Sequence, residues 1–212
     1  MAETEVEYIG KISKDNFQNL KELFEKKGVF QKKKSRISFM YFRDRIPKDL
    51  EEIKFEETDL RIRFTNKKSE LVLKHGQFNA AHARKEISIL FDQEETEKYI
   101  ALLNCLGWYL GVIYATETFV YKYEEVEFSL IEIKDYGYNF EAEILTEEKK
   151  IKEARQKITT VLKNLDLREM NKEELNIQCN SINNKKDLQF NFRETPFSKI
   201  KIRFKDMINE NL

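Results

Sequence analysis

The chain has 212 residues, of which 38 are Lys or Arg and 38 are Asp or Glu, so its formal net charge is zero although 36% of it is charged. This balance excludes the broad basic excess that binders of duplex nucleic acid or acidic membrane surfaces usually carry. Six glycines and two prolines are too few for a collagen-like or linker-rich chain, or for a glycine-loop nucleotide fold. The 16 Phe and 9 Tyr residues can bury a large area, which argues for a folded core and against disorder.

Cysteine and histidine are too rare and too far apart to form a structural site. Cys105 and Cys179 do not make a disulfide framework, and no pair with His75 or His82 has zinc-finger spacing. No apolar run of about 18 residues occurs, and no basic start precedes an apolar stretch. We therefore expect a soluble, cytoplasmic protein that does not contact a membrane.

The hydrophobic pattern predicts short strands and a few helices. In chain order they are a strand over 4–12, a helix from Ser13 to Gly28, strands over 36–43, 59–65, 69–75 and 84–91, a helix from Asp92 to Gly107, strands over 109–115, 118–123, 125–133 and 138–145, and helices that begin at Thr146 and at Asn171. For residues 188–212, the pattern predicts a strand pair or an ordered tail. Because the connections are short, antiparallel hairpins fit better than parallel crossovers. We predict an α+β protein with a closed or nearly closed eight-stranded antiparallel β-barrel and peripheral helices.

Charged side chains recur at every second position in several of these strands. Alternate residues of a strand point to the same side of a sheet. The pairs that share a side are Glu5 with Glu7, Arg61 with Arg63, Arg84 with Glu86, and Glu141 with Glu143, and Lys74 ends a further strand. Carboxylate oxygens suit Mg²⁺ or Mn²⁺, and arginine forks bind phosphate oxygens, so these pairs suit a metal–polyphosphate complex. The alternative is the solvated face of a half-exposed sheet, which shows the same alternation.

Five segments occur in an order that points to one family. They are Glu5-Val6-Glu7, Leu60-Arg61-Ile62-Arg63, Leu71-Val72-Leu73-Lys74, Arg84-Lys85-Glu86, and Asp135-Tyr136-Gly137-Tyr138-Asn139-Phe140-Glu141-Ala142-Glu143. Together they resemble the motifs of the CYTH superfamily, the triphosphate tunnel metalloenzymes, which include class IV adenylate cyclases, thiamine triphosphatases and inorganic triphosphatases. The resemblance implies a tunnel domain over residues 1–165, with 166–212 as a C-terminal helix and an aromatic, basic extension packed on the barrel.

The resemblance also implies roles for particular residues, although it identifies no catalytic residue. The implied metal-side residues are Glu5, Glu7, Glu141 and Glu143, with Glu86 and Lys11 as additional candidates for the site. The implied triphosphate-side cations are Arg61, Arg63, Lys74 and Arg84. The ligand would be a nucleotide, thiamine triphosphate or tripolyphosphate, held with Mg²⁺ or Mn²⁺. The activity would be that of a metal-dependent triphosphatase or of a class IV adenylate cyclase-like lyase. The sequence leaves open whether the extension covers a tunnel mouth or forms a homodimer.

Three residues depart from the family pattern. Ile9 stands where the opening motif has lysine, and Thr116 and Thr118 stand where basic residues usually precede a tyrosine. Lys11 shares a face with Ile9 but lies about 7 Å further along the strand. Each lost charge removes a contact worth about 1.5–3 kcal/mol. Three hypotheses therefore remain: a divergent metal-dependent enzyme, a non-catalytic nucleotide- or phosphate-binding sensor or interaction module on the same fold, and a plain barrel whose polar faces carry no site.

Overall fold

The computed structural model describes residues 4–47, 59–75 and 85–204, and these form an α+β protein. The strands are β1 (Thr4–Ile12), β2 (Val29–Phe42), β3 (Asp59–Thr65), β4 (Lys68–His75), β5 (Lys85–Phe91), β6 (Leu110–Tyr123), β7 (Val126–Ile133), β8 (Gly137–Thr146) and β9 (Gln189–Asn191). The helices are α1 (Lys14–Lys27), α2 (Thr96–Cys105), α3 (Ile151–Asn164), α4 (Lys172–Asn183) and α5 (Phe197–Arg203). None of the helices in these described ranges is long and apolar enough to cross a membrane.

Hydrogen bonds join the strands in the order β1-β8-β7-β6-β2-β3-β4-β5, and β9 pairs with β6. The pairs whose register is defined are antiparallel, which confirms the prediction of a large antiparallel sheet. β1 and β5 are the two ends of this order, so within the described residues the pairing does not close into a ring. The predicted closed barrel is therefore not confirmed, and the predicted domain boundary at residue 165 stays a prediction.

The chain divides into two compact units, each built from three segments, and we describe each unit by itself. The first comprises Met1–Lys34, Gln77–Arg84 and Thr116–Leu175, and the second comprises Ser35–Gly76, Lys85–Ala115 and Asn176–Leu212.

In the first unit, α1 and α3 cover one face of the strands. The apolar stripe of α1 buries Phe17, Leu20 and Phe24, and α3 buries Ile158 and Leu162. Their partners are buried side chains that alternate along the strands: Val6, Tyr121, Phe128, Leu130, Phe140 and Ala142. Because these residues occupy one parity of each strand, the other parity, which carries the glutamates of β1 and β8, projects from the opposite face.

The second unit has its own aromatic core. It contains buried residues of β2, β3, β6, α2 and the C-terminal segment: Ile37, Phe39, Tyr41, Leu60, Ile62, Phe64, Ile100, Leu103, Ile113, Ala115, Phe190, Phe192, Ile200 and Phe204. The ring of Phe39 lies 5.6 Å from that of Phe190 and 6.2 Å from that of Phe192. The aromatic residues of the extension thus complete the core of this unit, and the opposite parity of β3 again carries charged residues.

Several local signals in the sequence are confirmed. Ser13 caps α1, since its hydroxyl oxygen accepts from the Asn16 amide at 3.1 Å. Asn171 and Glu174 form the reciprocal hydrogen bonds of a capping box, at 2.9 and 3.0 Å. Asn66 and Lys67 both have positive φ, as a two-residue hairpin turn requires.

Other local predictions are wrong. The strands predicted over 109–115 and 118–123 are one continuous strand, β6. The helix predicted from Asp92 begins at Thr96, because the Asp92 side chain makes no capping hydrogen bond and a 3₁₀ turn precedes α2. The helix expected from Thr146 begins at Ile151, because β8 extends to Thr146 and a 3₁₀ turn follows. Of the two alternatives for the tail, the described part, residues 188–204, fits the ordered tail, with one short strand and α5.

Gly111 of β6 leaves no space for a side chain. A Cβ atom at this position would overlap the carbonyl oxygen of Met40 and lie 2.7 Å from the ring of Phe190. Because a backbone atom is in the way, we expect Gly111→Ala to lower the free energy of unfolding by about 2–3 kcal/mol. Urea denaturation measures this loss. Gly107→Ala is the control: Gly107 has a φ of 88° but open space, so its loss should be only about 1 kcal/mol. Equal losses would contradict the steric argument.

Candidate metal and phosphate sites

Glutamates of three neighbouring strands meet on the face of the first unit opposite α1 and α3. Glu7 of β1 lies directly opposite Glu143 of β8, and Glu143 lies opposite Glu127 of β7. Glu5 and Glu141 occupy the same parity on β1 and β8, so they project from the same face. Strand pairing therefore collects acidic side chains that are far apart in the sequence.

Three of these glutamates form a compact group, which we call the acidic cluster: Glu5, Glu7 and Glu143. One carboxylate oxygen of each lies within 4.8 Å of those of the other two, and all three side chains are half-buried. Glu141 lies two residues from Glu143, opposite Ile9, and is outside this group. The structure thus brings together three of the four predicted metal ligands.

The acidic cluster carries an electrostatic cost. Burial, a hydrogen bond with Glu5, and the negative charges of Glu5, Glu127 and Glu141 together raise the pKa of Glu143 to about 9. Carboxylates that converge in this way repel one another unless a proton or a cation lies between them. Hard carboxylate oxygens are also the ligands that Mg²⁺ and Mn²⁺ prefer, so the donor set fits a divalent cation.

Sequence reasoning missed Glu127. It is charged and lies on a predicted strand, but the period of its own strand does not say which residue of β8 it faces. The hairpin register between β7 and β8 decides that, by pairing Glu127 with Glu143 and Ser129 with Glu141. A register count from the turn at Asp135, which has positive φ, was the available signal.

The three departures from the family pattern lie on this same face. Ile9 pairs with Glu141, and Thr118 pairs with Ile131, so no cation occupies these positions. The ammonium of Lys11 lies 5.3 Å above the ring of Tyr136. Lys11 therefore contacts an aromatic ring at the far end of the strand pair.

The second unit has a face of mixed charge, and Arg61 is the most tightly paired residue on it. Its Nε donates to Asp59 Oδ1 and its Nη1 donates to the hydroxyl of Tyr114, both at 2.6 Å, and its Nη2 contacts Asp59 Oδ2. Burial by itself would lower the pKa of Arg61, but the charge and hydrogen bonds of Asp59 outweigh it and raise the pKa. The guanidinium of Arg61 is thus already bound to the carboxylate of Asp59 through two of its nitrogens.

Arg63 and Lys74 share the carboxylate of Glu86. The distance is 3.0 Å from Lys74 Nζ to Glu86 Oε2 and 3.6 Å from Arg63 Nη1 to Glu86 Oε1. Burial would raise the pKa of Glu86, but Lys74 and Arg63 lower it below its usual value. Glu86, predicted as an additional metal ligand, is here the ion-pair partner of two predicted phosphate ligands.

Arg84, the fourth predicted phosphate ligand, lies outside the described residues. Its predicted role in triphosphate binding therefore stays a prediction.

Comparisons with known proteins match at the level of structure. No family model matches the chain, and no curated protein does. A solved protein from Pyrococcus horikoshii OT3 is 25% identical, with a TM-score of 0.63, and the match covers 81% of this chain and 97% of that one. A putative adenylate cyclase from Vibrio parahaemolyticus is 13% identical, with a TM-score of 0.60 and coverage of 82% and 99%. A putative adenylyl cyclase from Hippeastrum, described as having a dominant triphosphatase activity, is 19% identical, with a TM-score of 0.54 and coverage of 78% and 89%.

The likeness extends over about four fifths of the chain and nearly all of each neighbour. These likenesses show the fold: the chain shares the α+β fold of these solved proteins.

Proposed function

We propose that this protein binds a triphosphorylated small molecule together with Mg²⁺ or Mn²⁺, and that it hydrolyses the triphosphate or cyclises a nucleotide. The observation that carries the proposal is the acidic cluster, with three carboxylate oxygens within 4.8 Å of one another. The fold of the Vibrio and Hippeastrum proteins supports the reaction class. The tunnel and the cytoplasmic location expected from the sequence are parts of the same proposal.

Glu5, Glu7 and Glu143 would hold the divalent cation. When bound, such an ion neutralises charge on phosphate oxygens and orients the triphosphate. Without it, Glu143 keeps a proton that it shares with Glu5, since its pKa is about 9. Cation binding would therefore release this proton from Glu143.

Arg63 and Lys74 are the cations of the second unit that suit phosphate. Arg63 contacts Glu86 at 3.6 Å and Lys74 contacts it at 3.0 Å. A phosphate oxygen is also a negatively charged acceptor, so it can take the place of the Glu86 carboxylate oxygen. The side chain of Glu86 is 38% exposed, so water can solvate its carboxylate when a phosphate oxygen replaces it. Within the second unit, the role of these two residues would be to contact phosphate oxygens.

The direct experiment is an assay of products. The protein is incubated with ATP, thiamine triphosphate or tripolyphosphate, each with Mg²⁺ or Mn²⁺, and phosphate, pyrophosphate and cyclic AMP are measured. Metal-dependent release of one of them supports the enzyme. Absence of both products and binding for all three compounds would contradict the proposal.

The second candidate is a sensor that binds the same ligands without turnover. Ile9, Thr116 and Thr118 favour it, because they remove cations from the face on which the acidic cluster lies. A metal-dependent rise of the melting temperature with tripolyphosphate, without any product, would favour this candidate over the enzyme.

A further inference from the structure

The arginines on the charged face of the second unit use their donors unequally. Three nitrogens of Arg61 are engaged by Asp59 and Tyr114. A guanidinium has five N–H donors, so little of Arg61 remains for a ligand, and any anion must compete with a bidentate carboxylate. The position that the family motif assigns to phosphate is thus already filled from within the chain.

Arg63 differs from Arg61 in that the described residues leave one of its buried donors without an acceptor. The residue is 4% exposed, and its Nε has no acceptor among the residues that the structure describes. In the described part of the chain, the carboxylates near its Nη1 are those of Glu86 at 3.6 Å and Glu70 at 3.9 Å, both longer than hydrogen bonds. A buried guanidinium without a close acceptor is costly, unless a ligand oxygen or a water completes it.

Ser38 lies directly across from Arg63 in the pairing of β2 with β3. Its side chain is fully buried, and its hydroxyl likewise has no hydrogen-bond partner in the described part of the chain. Residues directly opposite each other in a sheet project to the same side. Two polar groups without partners are therefore neighbours on one face, which is the arrangement that a shared acceptor would satisfy.

Arg36 adds a second cation beside this pair. It lies two residues before Ser38 on β2, hence on the same face, and its Nε donates to Thr65 Oγ1 at 2.9 Å. Thr65 in turn lies two residues after Arg63, so the contact holds the Arg36 side chain along β3. After burial, the charges of Arg61 and Arg36 are the main causes that lower the pKa of Arg63, as expected for crowded cations without an anion between them.

We propose that Arg36, Ser38 and Arg63 form an oxyanion subsite that binds one phosphoryl group of the polyphosphate, and that Arg61 is held out of it by Asp59. The subsite rests on the proposed function, and it adds two residues of β2 that the family motifs do not include. Phosphoryl oxygens would accept from Arg63 Nε, from the Ser38 hydroxyl and from the free end of Arg36, which satisfies each group.

Titration calorimetry with tripolyphosphate and Mg²⁺ tests the subsite. We expect Arg36→Gln to raise Kd about 10- to 100-fold, and Ser38→Ala about three- to tenfold, since they remove a charged and a neutral hydrogen bond respectively. Arg61→Gln should change Kd less than Arg36→Gln does. The matched control is Arg43→Gln, because Arg43 is exposed and lies 4.8 Å from the ring of Trp108; its Kd should not change.

Melting temperatures of the ligand-free variants show whether each is folded, and Ser38→Ala decides the question if Arg36→Gln does not fold. The subsite would be overturned if Arg36→Gln and Ser38→Ala kept the wild-type Kd while Arg61→Gln lost much of its affinity for tripolyphosphate. That result would leave the proposed function in place. A wild-type protein that does not bind tripolyphosphate at all would overturn both.

Discussion

The double variant Glu5→Gln, Glu7→Gln should lose metal-dependent binding and turnover of triphosphates by about two orders of magnitude or more. Each carboxylate that contacts a cation contributes about 1.5–3 kcal/mol, and two such losses amount to roughly a hundredfold or more in affinity. Glutamine keeps the size of the side chain, so the change removes charge from the acidic cluster and little else. The measurement is the Mg²⁺ or Mn²⁺ concentration that gives half-maximal stabilisation or activity.

The matched control is Glu94→Gln, Glu97→Gln, which removes two exposed charges near the start of α2. It changes the net charge by the same amount and should leave the metal response unchanged. If both double variants reduce the response equally, the effect is one of general charge and the acidic cluster does not bind the metal.

The metal-free protein should lose stability as the pH rises from about 4.5 to about 9. Glu143 has an ordinary pKa of 4.5 when unfolded and a pKa of about 9 when folded. Between these values the folded state binds a proton that the unfolded state does not, so the free energy of unfolding falls with pH. The stabilisation is fully present below the lower pKa and is lost as the pH passes the upper one. The slope from one group is at most about 1.4 kcal/mol per pH unit.

Urea denaturation at several pH values in the presence of a chelator measures this slope. Glu143→Gln mimics the protonated acid, so its slope should be smaller than that of the wild type, whereas Glu153→Gln, in the first turn of α3, should keep the wild-type slope. Because a cation would replace the shared proton, stabilisation by Mg²⁺ should grow with pH. A wild-type slope that Glu143→Gln leaves intact would refute the assignment of the raised pKa to this residue.

Elements whose signals are local were predictable from the sequence. The period of two placed β1, and Ser13 and Gly28 bounded α1, because the capping bonds span three or four residues. α5 was missed although Phe197, Ile200 and Phe204 have helical spacing, since a helix of seven residues depends on burial for its stability. The break predicted before Thr118 was wrong because pairing of Thr116 and Glu117 with β7 continues β6 through its polar stretch.

The sequence by itself determined which side chains share a face of one strand, since alternation is a property of the extended backbone. It therefore paired Glu5 with Glu7 and Arg61 with Arg63. Only the tertiary structure decided which faces meet, through the registers that oppose Glu7 to Glu143 and Ser38 to Arg63. It also decided that Asp59 occupies the fork of Arg61, a contact between neighbours on one face that depends on rotamers and burial. The sequence shows where the charged residues are, but strand pairing between segments tens of residues apart decides which of them interact.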